Sequence, residues 1–311
     1  QPDFVWVKGR SGATDHALYD SVRGTTKDLV SNSTAAETTQ ATGLTAFGST
    51  GFTIGALAKM NTNTATYVGW QWQAGQGSSS SNTNGSITST VSVNATAGFS
   101  IVSFASDTSA DRTAGHGLGV APTFIIMKSR DSASYNWAIY HASVCTTVKK
   151  YLTFTTSALS DNGSNIWGSA FPTSTVFGFT SGNGVVASTN CIAYCFAPVA
   201  GYSAFGSYTG NGSSDGPFVY CGFRPRWVMV KRTDVSNDWF ILDTSRNTYN
   251  VAGTALYPSD ASSETTNGFY DSDIVSNGFK VRATNSVVNA SGGTYIYAAF
   301  AENPFRNALA R

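Results

Sequence analysis

Short apolar runs set the rhythm of this chain, and stretches rich in Ser, Thr, Asn and Gly separate them. Phe4-Val5-Trp6-Val7, Phe124-Ile125-Ile126-Met127 and Trp227-Val228-Met229-Val230 are apolar at every position, which reads as strands buried on both faces. Other segments alternate. Tyr67-Val68-Gly69-Trp70-Gln71-Trp72 puts Val68, Trp70 and Trp72 on one side, and 191–196 and 295–300 do the same with Ile192, Tyr194, Phe196 and with Ile296, Ala298, Phe300. That side should be core. No stretch sustains the 3.6-residue period of an amphipathic helix, so helix should be minor and the fold all-β.

The runs also align with one another. Each apolar run sits in one frame (proline, any residue, aromatic, three apolar residues, lysine) that spans Pro2 to Lys8, Pro122 to Lys128 and Pro225 to Lys231. Proline presets φ where a strand starts and no donor is needed. A second strand follows, ending at Asp20, His141 and Asp243; Lys8 to Asp20 and Lys231 to Asp243 are both twelve residues, and the middle copy has one more. Ser49-Thr50-Gly51-Phe52, Ser174-Thr175-Val176-Phe177 and Ser276-Asn277-Gly278-Phe279 form a third landmark, where Gly51 and Gly278 suit a turn with positive φ. The pattern predicts tandem repeats of an antiparallel β-sandwich unit of about 100 residues and about seven short strands.

The first repeat covers 1–74, the second 87–202 and the third 203–311. Residues 75–86 (Gly-Gln-Gly-Ser-Ser-Ser-Ser-Asn-Thr-Asn-Gly-Ser) read as a flexible linker. No such run separates the second repeat from the third, which should pack closely around 199–203. A lead-in strand, 100–104 in the second repeat and 204–208 in the third, has no counterpart in the first. The first repeat is therefore N-terminally incomplete. Either roughly 25 residues precede Gln1 or another chain supplies the strand.

Composition narrows the function. Charged residues are 12% of the 311, and 19 Lys plus Arg against 18 Asp plus Glu leave a net charge of +1. A nucleic-acid or other polyanion partner would call for a basic excess, and no apolar run is long enough to insert in a membrane. Aromatics at 13% argue against disorder. Cys145, Cys191, Cys195 and Cys221 include no CxxC pair; Cys191 and Cys195 would lie roughly 13 Å apart along a strand, too far to bond. Reduced, buried thiols suit assembly in a reducing cytoplasm.

Candidate chemistry is sparse. The GxxxxGK[ST] and HExxH patterns are missing, and His16, His116 and His141 fall at unrelated positions, so no metal, no cofactor and no catalytic residue is expected. Asp161, Glu264, Asp271 and Asp273 read as loop carboxylates, with Asp271 and Asp273 on one face if extended. A depolymerase would need two such groups converging. Lys8, Lys128 and Lys231 recur at strand ends, and Asp20 with Arg23 and Asp243 with Arg246 recur as Asp-x-x-Arg; recurrence between copies favours a role in the fold. Trp72 and Trp137 fall in core slots. Tyr135, Trp167 and Tyr249 lie in polar loops and are the candidate ligand-binding aromatics, since loops on a rigid scaffold carry recognition.

Several strings carry a resemblance: 1–8 with 20–24, Thr96-Ala97-Gly98-Phe99-Ser100-Ile101-Val102, 115–122, 206–212, and 295–305 at the end. The chain resembles the tail-fibre and virion structural proteins of tailed bacteriophages, notably marine and cyanobacterial ones. The resemblance implies a location in the virion, a homo-oligomer with a trimer favoured, contact with other virion proteins, and adsorption to a host surface polysaccharide or outer-membrane protein. It carries no catalytic motif. The expected function is a non-enzymatic receptor-binding part of a tail fibre, with a capsid or tail decoration protein as the alternative.

Overall fold

The computed structural model describes residues 1–107, 109, 111–161, 163–180 and 189–302, so 303–305 of the terminal string lie outside the described residues. The fold is all-β and antiparallel, with two four-residue helices, Ala58–Asn61 and Ser286–Asn289. Three main sheets share one plan. The central strands are Phe4–Gly9, Phe124–Ser129 and Pro225–Arg232. Each pairs on one side with a hairpin strand (Ala17–Asp20, Ala138–His141, Trp239–Asp243) and on the other with a closing strand (Tyr67–Trp72, Asn190–Phe196, Thr294–Ala301).

The registers coincide as well. Phe4 lies opposite Asp20 and Trp72, Phe124 opposite His141 and Phe196, and Trp227 opposite Asp243 and Phe300. The second and third sheets continue outward from the closing strand with lead-in strands Phe99–Ala105 and Ser203–Thr209. In the first sheet the closing strand has the central strand as its sole neighbour among the described residues.

The unbroken apolar runs follow from burial on both faces. Val5 and Val7 face a small core closed by the hairpin Leu44–Gly48 with Gly51–Ile54. Val228 and Val230 face another under Phe218–Tyr220, Gly278–Val281 and Ser272–Val275. The opposite faces of all three sheets meet in one continuous core. Trp72 stands where they meet, with ring centroids 5.3 Å from Phe4, 6.5 Å from Phe196, 5.6 Å from Trp227 and 5.5 Å from Phe300. Buried aromatics hide roughly 150–250 Å² each, and stacked contacts such as that with Phe4 and edge-on contacts such as the other three add to that burial.

Two local expectations are corrected. Residues 75–86 are no flexible linker. The buried Asp3 carboxylate accepts from the backbone N–H of Ala74, Gln76 and Gly77 (2.7, 2.8 and 2.7 Å) and from the Ser21 hydroxyl (2.8 Å), and Ser80–Asn82 joins the second sheet beside Ser89–Asn94. A carboxylate 71 to 74 residues away in sequence overrides the Gly/Ser composition. Gly51 and Gly278 do not take positive φ; Gly278 starts a strand where a Cβ would lie 2.0 Å from the Val219 carbonyl oxygen. The left-handed turns fall at Gly119 (φ 76°) and Gly222 (φ 82°), three residues ahead of the aligned prolines.

Candidate functional site

The recurring polar residues lie at the seams between sheets. Asp20 and Arg23 form a fully buried ion pair, and Arg23 also donates to the Leu18 carbonyl (2.8 Å). Glu37 bridges Arg23 to Arg130 of the second sheet, at 3.1 and 2.8 Å, and the Tyr194 hydroxyl donates to Asp20 (2.8 Å). The same constellation joins the third sheet to the first. Asp243 pairs with Arg246 (2.6 Å), Glu264 bridges Arg246 to Arg10 (3.5 and 2.8 Å), and the Trp70 indole N–H donates to Asp243 (3.1 Å). Burial opposes the charge of Arg23, but Asp20, Tyr194 and Glu37 outweigh it and hold the guanidinium protonated. At the third seam His141 takes the aspartate's place, and its Nε2 donates to the Tyr297 carbonyl (3.2 Å). Sequence reading named the Asp-Arg pairs but missed Glu37, Arg130 and Arg10; it placed Glu264 in a loop, where it lies, without its arginine partners. The signal was present: Arg10 and Arg130 each follow an aligned lysine by two, and Glu37 and Glu264 follow Leu29 and Leu256 by eight.

Two further sets of bonds run round all three seams. Backbone N–H groups of Glu264, Glu37 and Leu159 donate to the carbonyls of Arg10, Arg130 and Thr233 (3.0, 2.7 and 2.9 Å). Ring N–H groups of His16, Trp137 and Trp239 donate to the carbonyls of Tyr257, Val30 and Thr153 (2.7, 2.9 and 2.8 Å). Trp6 donates to His16 Nδ1, which fixes the proton on Nε2. Burial, then the Lys8 charge, pushes His16 down to about 3. Burial pushes His141 down to about 4 and lowers His116 as well. Among the described residues no group of three or more His, Cys, Asp or Glu is placed to hold a metal ion.

Lys8, Lys128 and Lys231 are fully buried, and each ammonium donates to two main-chain carbonyls: Gly9 and Ala261, Ser132 and Tyr135, Thr156 and Asn237. Burial pushes each down to about 8.

The three candidate ligand-binding aromatics are not brought together. Trp167 is core: fully buried, edge-on to Tyr140, its indole N–H donating to the Lys150 carbonyl (3.0 Å). Its polar sequence neighbours concealed an apolar slot under the second sheet. Tyr135 is half-buried beside a cavity of about 90 Å³ that Trp137 and Tyr151 also line. Tyr249 is 86% exposed. It adjoins the small sheet of the third unit, because Asn250 exchanges hydrogen bonds with the main chain of Ile274 (3.0 and 2.9 Å). The outward face of that sheet presents Phe218 and the 66% exposed Tyr220, and Phe218 pairs across to Lys280, which pairs to Asp273. Asp273 is bound by Arg282. Aromatic rings beside ion-paired hydrogen-bonding groups are what a sugar ring or a polar loop of another protein can stack on and bond to. Sequence reading missed Phe218 and Tyr220; strand alternation around Val219 would have turned both outward.

Residues 1–304 match the family model described as Domain of unknown function (DUF7483), and the chain belongs to that family. No curated protein and no solved structure matches the chain. No helix among the described residues is long and apolar enough to cross a membrane.

Proposed function

We propose that this chain is a non-enzymatic virion structural protein of a tailed bacteriophage, the part of a tail fibre that contacts a host surface polysaccharide or outer-membrane protein. In this reading it assembles with other virion proteins, and with copies of itself as a trimer, after synthesis in the host cytoplasm. The observation that carries the recognition role is the pair of exposed aromatics Phe218 and Tyr220 on the outer face of a small, well-packed sheet, with the exposed Tyr249 next to the strand at that sheet's opposite edge. The non-enzymatic reading draws on the carboxylates. Asp20, Glu37, Asp243 and Glu264 are bound to arginines at the seams, and Asp273 is bound to Arg282, which leaves these groups neutralised for structure. Resemblance supplies the virion.

The test is binding of purified protein to whole cells of susceptible hosts and to a glycan array. Tyr220→Ala with Tyr249→Ala should weaken binding at least about tenfold, the loss expected when exposed anchor aromatics are truncated, without changing the circular dichroism spectrum. Binding that the double variant leaves intact would move recognition to another face. No binding to any susceptible host would turn the reading toward a decoration protein.

A further inference from the structure

The closing strand of the first sheet has a free edge, and the molecule shows twice what covers such an edge. Asp3 N donates to the Trp72 carbonyl (2.9 Å) and Arg10 N to the Thr66 carbonyl (2.8 Å), so main-chain groups of the even-numbered residues face the central strand. Strand alternation turns those of Tyr67, Gly69, Gln71 and Gln73 outward, where the Gln73 carbonyl accepts from the Asn94 side-chain amide (3.4 Å). In the other two sheets the same side is filled. Ala197 N donates to the Gly98 carbonyl and Ala301 N to the Tyr202 carbonyl, both at 2.8 Å. Phe99–Ala105 and Ser203–Thr209 then run antiparallel along the closing strands, with Phe99 and Ser203 opposite Phe196 and Phe300, the positions that correspond to Trp72.

Three observations mark the vacant edge as a receiving one. Residues 67–74 contain no Lys, Arg, Asp, Glu or Pro, the residues with which edge strands discourage pairing. A cleft of about 450 Å³ opens beside Gln73 and is walled by Ala97 and Ala200, the turns that lead into the two filled positions. The lead-in strands also reach across seams: Phe99 lies 6.3 Å from Phe4 of the first sheet, and Phe205 lies 5.6 Å from Phe124 of the second. The next residue in that cycle is Trp227 of the third sheet, whose buried indole N–H has no hydrogen-bond partner among the described residues.

We infer that the Tyr67–Trp72 edge receives an extended strand from a partner polypeptide by β-augmentation. The incoming strand runs antiparallel, is uncharged over about seven residues, and places a large apolar side chain opposite Trp70 or Trp72, as Ile101 and Phe99 do opposite Tyr194 and Phe196.

The probe is a synthetic peptide with the sequence of residues 97–105 (Ala-Gly-Phe-Ser-Ile-Val-Ser-Phe-Ala), added to the whole chain and followed by residue-resolved amide exchange. Exchange at Gly69, Gln71 and Gln73 should slow at least about tenfold, and Trp fluorescence should shift with the same concentration dependence. Gln71→Pro removes an outward N–H without touching the bonds to the central strand, so it should abolish the protection, while Gln71→Ala keeps it. A peptide with Lys in place of Phe99 and Ile101 should not bind, which retains the test if Gln71→Pro does not fold. No protection, equal protection in Gln71→Pro, or equal binding of the Lys peptide overturns the proposal. So does protection without peptide, whether it grows with protein concentration alongside a dimer mass, since the edge would then belong to a second copy, or arises in a monomer carrying sequence ahead of Gln1, since the edge would then be covered from within.

Discussion

The buried lysines and cysteines give the molecule an unusual response to alkali, and the sign can be worked out group by group. Lys8, Lys128 and Lys231 are pushed down by burial to about 8 from 10.5. Between those values the unfolded chain holds more protons, so stability rises with pH. Burial pushes Cys145, Cys191 and Cys221 up from 9.0 to about 12, 11 and 12, and raises Cys195 further still. Above pH 9 the unfolded thiols ionise while the native ones do not, so stability falls. Urea midpoints should therefore climb from pH 8, peak at about pH 9 and decline beyond it. Lys128→Met should remove about a third of the climb, since each lysine shifts alike. A midpoint falling steadily from pH 8 would show that the lysines are charged at no cost. The recurrence of these lysines was legible in sequence. Their acceptors were not, because a main-chain carbonyl such as that of Thr156 or Ala261 carries no side-chain signature. The same limit hid the role of Asp3, whose partners are three backbone N–H groups in a segment composed like a linker.

Elements are joined by seams whose chemistry differs at equivalent positions. Two seams use a neutral set of two arginines and two carboxylates; the third uses Leu159, Thr233 and His141. Arg23→Met should cost about 3–5 kcal/mol in urea unfolding, because it strands the buried Asp20 charge. Glu264→Gln, at a partly exposed position, should cost about 1 kcal/mol or less. Equal effects would mean that the seam charges are solvated alike. The acid limb follows from the third seam and from His16. With His16 and His141 held down to about 3 and 4, the unfolded chain takes up protons first as pH falls through 6.5, and stability is lost from there toward pH 4. Asp20 and Arg23 could be paired from sequence because three residues separate them. Glu37 and Arg130 are 93 residues apart and belong to different sheets, so only the aligned spacing hinted at them. The all-β class and the core faces of the closing strands were legible throughout, since alternation needs no distant partner.

At the scale of the whole molecule the three sheets close on one another in a cycle. Seam bonds run from the third sheet to the first, from the first to the second, and from the second to the third, and the three inner faces share one aromatic core. The low charge of the chain takes on meaning in this arrangement. Two of the three junctions pair their ionic groups with each other around an aromatic-rich core, and the surface outside is rich in Ser, Thr, Asn and Gly, with charges such as Arg112 and Asp107, Arg232 and Asp234, and Lys280 and Asp215 held in local pairs. A chain of separate sandwich domains would unfold in steps, each with the enthalpy of about 100 residues, roughly 70 kcal/mol near 60 °C. A chain closed in a cycle has no junction that can open without exposing core aromatics: Trp72 packs on Trp227 and Phe300 at one seam and on Phe196 at the next, and Phe196 packs on Phe300 at the last. Calorimetry should therefore give one transition, with calorimetric and van't Hoff enthalpies agreeing near roughly 200 kcal/mol. Trp72→Ala should lower the stability of all three sheets by about 3–5 kcal/mol, and amide exchange should report that loss in the Thr294–Ala301 strand as strongly as in Tyr67–Trp72. A van't Hoff enthalpy near one third of the calorimetric value, or exchange that quickens in the first sheet alone, would mean that the sheets fold as independent units and that the seams only dock them.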